Sequence, residues 1–519
     1  MASAAAAATP DPFARGIDGF ERAMITIAVM VATLMQVLDM TIANVALPHM
    51  QTSLGATSET VTWVLTSYIV ASAIAIPITG WLADRIGRKT LYVSTVVTFT
   101  IASALCAIAT SLPEMVIFRV FQGVAGAFVL PLAQAVMFDI NPPEKHARAM
   151  SIFGAGVVVG PILGPVLGGW LTESFNWRWV FLVNVPVGIA CTLMLIRFLP
   201  GTKTVSRRFD LFGFALLAVG LGALQMMLDR GQQQDWFQSW EIWIETGLAL
   251  SAGWMFLVHM IAGETPIFEP RLFADRNFVT SLLVMAAAGL LMMAGLALLP
   301  PMLQQLMGYS VLQSGFLTAP RGMGTFLSMT VAGRLMGKVD TRLLIMTGMV
   351  LMAVSLWQMS GFSLGMSAQP IAFSGFVQGL GMGLIFIPLN VTAFATIAPY
   401  LRTSAASLMT LMRSIGGSVG ISMVTSLLAR NLQTSHADLA SQITPASTPP
   451  VDPGLLSMLG GAGTTVTMLL DAEINRQAAM IAYIDDFYLM MLVTFAALPL
   501  VLFMKKPRAR RSPPPMVAE

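Results

Sequence analysis

The sequence has 519 residues, of which 56% are hydrophobic and only 11% charged. A soluble protein of this size needs more charged residues to cover its surface, so this composition excludes an ordinary water-soluble domain. The formal net charge is only +3 and the basic residues fall in predicted loops, so we expect no nucleic-acid partner. Cys106 and Cys191 lie in apolar runs, which predicts free thiols and no disulfide framework.

Apolar runs of about 18–25 residues recur along the chain, the length that spans the hydrocarbon core of a bilayer. They predict fourteen transmembrane helices, near 24–46, 61–83, 91–110, 114–137, 149–172, 179–199, 210–228, 241–262, 278–303, 311–336, 342–362, 367–392, 403–429 and 484–504. Residues 1–23 contain no cleavable signal pattern, so we interpret them as a retained cytoplasmic tail.

The basic residues predict the orientation of these helices. If the N-terminus is cytoplasmic, most of the 29 Lys and Arg residues fall in inner segments, including the basic tail 505–519. The outer segments then hold only Arg178, Arg230, Arg430 and Arg476. This asymmetry predicts that both termini are cytoplasmic.

A weak duplication divides the chain into two halves. Short motifs recur at offsets of about 253–256 residues, namely Gly80 and Gly333, Gln122-Gly123 and Gln378-Gly379, Gly160 and Gly416, and Gly164 and Gly420. We therefore predict six-helix bundles at 24–200 and 277–504, with two inserted helices within 201–276. Two like-oriented halves around a central cavity are typical of a rocking transporter.

Residues 430–483 are rich in polar residues and are predicted to form an extracytoplasmic loop within the second half. Such a loop would be either a flexible linker or a docking surface for an external partner.

Two opposite charges lie inside predicted spans of the first half. Asp39 is more than a dozen residues into the first span, where a charge costs about 2.5–3.5 kcal/mol on insertion scales. Arg119 lies near the predicted outer end of the fourth span, within reach of Asp39. We predict a proton-coupling pair, because a proton on the carboxylate would weaken its attraction to Arg119. The alternatives are a carboxylate sealed by a hydrogen bond and a static link between helices.

The loop between the second and third predicted spans combines glycines with charges. Basic residues alone would only determine the orientation of the helices in the membrane. The added glycines and the carboxylate of Asp84 predict in addition a latch, a tight turn with a charge that stabilises one conformation of the transporter. Its members are Gly80, Asp84, Arg85, Gly87 and Arg88.

The fifth predicted span carries small residues at a spacing of four, interrupted by prolines. These residues are Gly160, Pro161, Gly164, Pro165, Gly168 and Gly169. Small residues allow close helix approach and prolines bend a helix, so the pattern predicts either a functional bend or ordinary close packing.

Other features carry less information. Arg321 and Arg413 are possible second-half charges, although snorkelling or pairing with carbonyl groups is an equal alternative. No carboxylate mirrors Asp39 in the second half, so we expect proton chemistry in the first half only. The sequence contains no ATP-binding loop, metal-ligand spacing or nucleophile motif, so we expect no enzyme, cofactor or metal, and a proton gradient as the energy source.

Together these motifs resemble the major facilitator superfamily, specifically its fourteen-helix drug:proton antiporters of the EmrB/QacA type. The loop Gly80 to Lys89 is similar to motif A of that superfamily, Arg119 to Gly126 to motif B, and Gly160 to Gly169 to the exporter motif C. Leu38 to Ile42 and Trp177 to Pro186 are similar to signatures of the fourteen-helix branch.

The resemblance implies an all-α integral membrane protein with a major facilitator fold, in the bacterial inner membrane. It implies proton-driven export of hydrophobic or amphipathic drugs, with coupling by Asp39 and Arg119 and gating by the loop after the second span. It also implies an EmrA-type periplasmic adaptor and a TolC-type outer-membrane channel as partners. A dedicated exporter of one metabolite or siderophore, a lipid flippase, and a membrane scaffold or sensor without transport remain alternatives.

Overall fold

A computed structural model describes residues 18–57, 60–202, 204–205, 208–263, 266–442 and 463–504. The helices of the first half and the first insert are α1 Gly19–Ser53, α2 Trp63–Ala75, α3 Thr79–Ile86, α4 Arg88–Ile108, α5 Leu112–Asp139, α6 His146–Ser174, α7 Trp179–Leu182, α8 Asn184–Phe198 and α9 Leu211–Arg230. The remaining helices are α10 Trp240–Ala262, α11 Arg271–Ala274, α12 Arg276–Pro301, α13 Val311–Leu335, α14 Thr341–Met359, α15 Ala368–Ala395, α16 Arg402–Ser441 and α17 Gly463–Leu502.

The helices confirm the predicted membrane architecture. Within the described ranges, twelve helical segments are long and apolar enough to cross a bilayer, and α6 adds a thirteenth that bends by 42° between Pro161 and Val166. Helix α13 has 25 residues and packs against α15 of its own half and against α6 of the first half. It therefore supplies the fourteenth span, although polar residues lower its hydropathy.

Turn chemistry explains several of the helix boundaries. Helix α13 begins with a capping box, in which the Ser310 hydroxyl accepts from the Gln313 amide and the Gln313 side chain accepts from the Ser310 amide. Asp275 caps α12 by accepting from the amide of Phe278. Between α3 and α4 the chain turns at Gly87, whose φ of 86° favours glycine.

The two predicted halves use the same helix pairs. In the first half α1 packs on α6, α2 on α5 and α4 on α8, and in the second half α12 packs on α16, α13 on α15 and α14 on α17. Close contacts repeat as well. A Cβ at Gly123 would lie 2.5 Å from the carbonyl oxygen of Tyr68, and a Cβ at Gly379 would overlap that of Arg321. The exact domain limits stay predictions.

The inserted helices α9 and α10 pack on each other, and α9 also contacts both halves. Thr66 of α2 donates to the Asp229 carboxylate, and the Ser418 hydroxyl of α16 donates to Gln225 at 2.8 Å. The insert therefore lies at the side of the molecule, where α2 and α16 come near each other.

The segment 430–483 differs from the predicted loop. Helix α16 continues through Ser441 and α17 begins at Gly463, so residues 430–441 and 463–483 are helical; residues 443–462 lie outside the described part. The His436 ring contacts Asp471 at 3.0 Å, which joins the two helical extensions. Low hydropathy suggested a loop, but these polar residues include good helix formers that continue the preceding apolar turns. We call residues 430–441 and 463–479 the helical extension.

Candidate functional site

Asp39 and Arg119 meet in the interior of the first half. The Arg119 Nη1 donates to Asp39 Oδ2 at 2.6 Å, and the two side chains are 0% and 1% exposed. Helix α1 supplies the carboxylate and α5 the guanidinium, so the pair joins two helices. The geometry agrees with the expected pairing, while its role in coupling stays a prediction.

Two amides complete the environment of the carboxylate. Gln122 Nε2 donates to Asp39 Oδ1 at 2.7 Å, and Asn184 Nδ2 donates to the same oxygen at 3.0 Å. Asn184 also donates to the Ser103 hydroxyl at 3.0 Å. The sequence motifs include Gln122 and Asn184, but we did not identify either as a site residue. Only the three-residue spacing between Arg119 and Gln122 hinted at a shared helix face.

The guanidinium of Arg119 is also enclosed. It donates to the Val64 carbonyl at 2.9 Å and to Gln122 Oε1 at 2.8 Å, and its central carbon lies 4.3 Å from the Tyr68 ring centroid. Because a buried ion pair is tolerated only when its remaining donors and acceptors are satisfied, these contacts explain how Asp39 and Arg119 can both be buried. A proton on Asp39 would remove the charge that orients Arg119 and the two amides.

The glycine motif of α6 packs on the segment of α1 that carries Asp39. A Cβ at Gly160 would lie 2.6 Å from Val37 Cγ1, and one at Gly168 would lie 2.8 Å from Ile42 Cγ1. A Cβ at Gly164 would overlap the Thr41 hydroxyl. The motif therefore fixes the distance between α6 and α1 on both sides of Asp39.

The other members of this motif do not share the close packing of Gly160, Gly164 and Gly168 on α1. A Cβ at Gly169 would meet nothing within 4 Å, so this glycine is not needed for helix approach. The bend of α6 follows Pro161, as expected for a proline that removes a backbone hydrogen bond. The side chain of Pro165 lies outside the described part of the structure.

One acid joins the two halves at the end of the bundle that contains Gly19 and Arg88, which we call the predicted cytoplasmic end. The Asp139 carboxylate pairs with Arg88, and it accepts from Arg402 Nη1 at 2.8 Å. Arg88 also donates to the Pro399 carbonyl at 3.0 Å. Arg88 belongs to the predicted latch, but its partners Asp139 and Arg402 were not identified from the sequence.

The other predicted latch residues have separate places. Gly80 packs so closely on α16 that a Cβ would overlap Ser404. Gly87 forms the turn described above, and the Asp84 carbonyl accepts from the Val205 amide at 2.7 Å. Arg85 is exposed and lies over the Trp81 ring, 5.6 Å from its centroid. Thus Gly80 and Arg88 contact the second half, whereas the described contact of Arg85 is with Trp81 of the same helix, α3.

A related contact closes the predicted cytoplasmic end from the other half. A Cβ at Gly333 would lie 3.3 Å from Ser151 Cβ, and the Ser151 hydroxyl donates to the Met329 carbonyl at 2.7 Å. Gly80 with Ser404 and Gly333 with Ser151 are therefore equivalent contacts. In this conformation the two halves touch at the predicted cytoplasmic end.

Arg321 and Arg413 are not brought together with an acid. Arg321 donates only to the Met292 carbonyl, at 3.4 Å, among the described residues. Arg413 lines a narrow space between the halves, where no hydrogen bond or ion pair of its guanidinium is found in the described ranges. The second half thus carries two cations without the counterion that Arg119 has.

The chain is similar to known membrane transport proteins in sequence and in fold. The sequence matches the family model of the Major Facilitator Superfamily over residues 29–421. The chain belongs to the major facilitator superfamily. It is 36% identical to the multidrug export protein EmrB of Escherichia coli K12, over 95% of this chain and 97% of that protein. It is 34% identical to the fatty acid resistance protein FarB of Neisseria gonorrhoeae, over 95% and 97%.

Solved structures support the fold. The human organic anion transporter MFSD10 matches with a TM-score of 0.58 at 15% identity, over 91% of this chain and 99% of that one. This superfamily member is therefore an EmrB-like, multi-pass membrane protein and a secondary transporter rather than an enzyme.

Proposed function

We propose that this transporter exports hydrophobic and amphipathic compounds in exchange for protons. The observation that supports coupling is the Asp39–Arg119 pair, a buried acid whose two oxygens are both satisfied by charge and amide donors. An intramembrane ionisable pair of this kind is a functional site by default, since the bilayer penalises it.

The exchange follows from competition between a proton and Arg119 for the carboxylate of Asp39. A proton that arrives from the outer side neutralises Asp39, weakens its bond to Arg119 and frees α1 to move against α5. The contacts of Arg88, Asp139 and Arg402 then separate, and the inward-facing state releases the proton and accepts the substrate. Each inward proton supplies about 2.3 kcal/mol per 100 mV of membrane potential.

The groups that line the narrow space between the halves are compatible with an amphipathic substrate. Apolar and polar groups share it, and the lining residues are Gln134, Met285, Phe386, Met409, Thr410 and Arg413. Methionine and phenylalanine adapt to varied apolar shapes, which is typical of broad specificity. The names of EmrB and FarB, a multidrug exporter and a fatty acid resistance protein, agree with such a range.

The coupling is tested with purified protein in proteoliposomes that carry a pH gradient. The Asp39→Asn variant keeps the shape of the side chain but cannot ionise, so we expect export driven by the gradient to disappear while substrate binding remains. The exposed Glu144→Gln variant is the matched control and should export normally. Full-rate export by Asp39→Asn would overturn the proposal.

We further propose that the pump works with an EmrA-type adaptor and a TolC-type channel, and that the helical extension docks the adaptor. The length of two helices supports this docking. Helices α16 and α17 each have 40 residues, which is more than a helix needs to cross a bilayer. Charge reversal at exposed Asp438 and Glu473 is expected to abolish capture of such an adaptor and to leave flux in proteoliposomes intact. Unchanged capture would contradict the docking.

A further inference from the structure

The second half contains a buried acid that the proposed cycle does not use. Asp486 lies in α17, sixteen residues before its end at Leu502, which corresponds to about 24 Å of helix from the predicted cytoplasmic end. Its side chain is 0% exposed. Both carboxylate oxygens lack a hydrogen-bond partner within the described residues. Asp39, by contrast, has a cation and two amides.

The surroundings of Asp486 supply no compensating charge. The titratable neighbours on its own helix are Tyr483 and Asp485, neither of which is a cation. Next to it, Phe487 packs on Phe362 with ring centroids 6.2 Å apart. Helices α12, α14 and α16 pack against α17, and in the described ranges none of their charged or titratable side chains forms an ion pair with Asp486. Those side chains are Arg276, Arg342, Arg402, Arg413, Arg430, His436 and Asp438.

An ionised carboxylate in this position would be buried without a counterion or a donor. Burial of an unpaired charge is so unfavourable that such groups take up a proton instead of remaining ionised. We propose that Asp486 binds a proton in this conformation and is a second proton-binding site of the transporter, separate from Asp39.

The place of α17 in the repeat supports a role for this proton in the cycle. Helix α17 packs on α12 and α14, as α8 packs on α1 and α4 in the first half. Helix α8 supplies Asn184, which donates to Asp39, so the equivalent helix contributes a buried polar group in both halves. Movement of α12 relative to α17 would change how Asp486 is enclosed and would release its proton. This use rests on the proposed proton coupling.

The bound proton is tested without transport, by infrared spectroscopy of purified protein at neutral pH. A protonated carboxyl group gives a carbonyl-stretch band distinct from that of a carboxylate. We expect this band in the wild type and in Asp485→Asn, the exposed neighbour, and its loss in Asp486→Asn. Carboxyl-13C-aspartate labelling of the wild type shows whether the band belongs to an aspartic acid, even if the variant does not fold. A wild-type spectrum without an aspartic acid band would overturn the site.

The release of the proton is tested by counting protons on substrate addition in lightly buffered detergent solution. We expect Asp486→Asn to release one proton fewer per chain than the wild type and Asp485→Asn to release the same number. An equal count in all three proteins would overturn the role in the cycle. If Asp39→Asn abolishes coupling but keeps the infrared band, the two sites are separate; if Asp39→Asn still exports, the proposed function fails while the Asp486 band stands.

Discussion

The two halves of this transporter share their packing but differ in their charges. The first half pairs Asp39 with Arg119 and satisfies both groups, whereas Arg321 and Arg413 in the second half have no acidic partner in the described ranges. If the contact of Gly164 with Thr41 is matched to that of Gly420 with Leu290, counting two residues back along each helix pairs Asp39 with Ala288. The repeat has therefore kept the helix contacts and changed the chemistry inside them.

The same difference recurs at the predicted cytoplasmic end. Gly80 with Ser404 and Gly333 with Ser151 close it from both sides, and Asp139 of the first half adds an ion pair with Arg402 next to the first of these contacts. Close packing is common to both halves, whereas the buried pair of an acid and an arginine that the described ranges contain, Asp39 with Arg119, lies in the first. We therefore expect packing to serve the movement of the halves, and Asp39 to couple that movement to protons as proposed above.

The largest difference between the halves should be seen when equivalent cations are removed. Arg119→Met leaves Asp39 buried without its cation, which costs about 3–5 kcal/mol. Arg321→Met removes a cation that donates only one long bond to a carbonyl, so we expect little or no loss. The measurement is the apparent Tm of each purified variant in detergent.

A double variant distinguishes the effect of the uncompensated charge on the Tm from the effect of lost packing. Asp39→Asn added to Arg119→Met removes the uncompensated acid and should restore most of the Tm, although not coupled export. Equal losses of Tm in Arg119→Met and Arg321→Met would contradict the difference between the halves.

The sequence predicted the fold and the central pair because both depend on burial alone. Apolar run length fixes the spans, and an acid at the depth of Asp39 needs a cation that only Arg119 could supply in that half. Asn184 and Asp139 were missed because their partners are distant in sequence, and the contact depends on how helices are rotated and stacked. Asp486 was missed because it follows exposed Asp485 at the edge of a predicted span, where acids usually mark the membrane boundary.

A smaller effect is expected from the glycines of α6 that pack on α1, which are Gly160, Gly164 and Gly168. Gly164→Ala and its counterpart Gly420→Ala both place a Cβ against a facing helix, and overpacking of this kind costs about 1–3 kcal/mol. Only Gly164 packs on the helix that carries Asp39. We expect both variants to lower the Tm, and only Gly164→Ala to shift the pH optimum of export, because of the two only its Cβ displaces the helix that carries Asp39.

Gly169→Ala is the matched control, since its Cβ would meet nothing within 4 Å. It should leave both the Tm and the pH optimum unchanged. A shift of the pH optimum in Gly420→Ala as large as that in Gly164→Ala would show that α6 does not act through Asp39.

The smallest effect concerns the acid at the predicted cytoplasmic end. Arg402→Gln removes one of the two cations on Asp139, and a partly exposed pair contributes about 1 kcal/mol, a factor of about five in the population of the open state. The measurement is the maleimide reactivity of Ser404→Cys and, in a separate protein, of Ser151→Cys. Native Cys106 and Cys191 are buried and add little background.

If the halves rock as rigid bodies, both reporters should gain reactivity by the same factor, although Asp139 lies at only one of the two contacts. Arg85→Gln is the control, because Arg85 is exposed over Trp81 and should change neither reporter. A gain at Ser404→Cys alone would mean that the contact opens locally, and the two glycine–serine contacts would then not belong to one movement. Equal gains would show that the ion pair of Asp139 acts on the contacts of both halves through one movement.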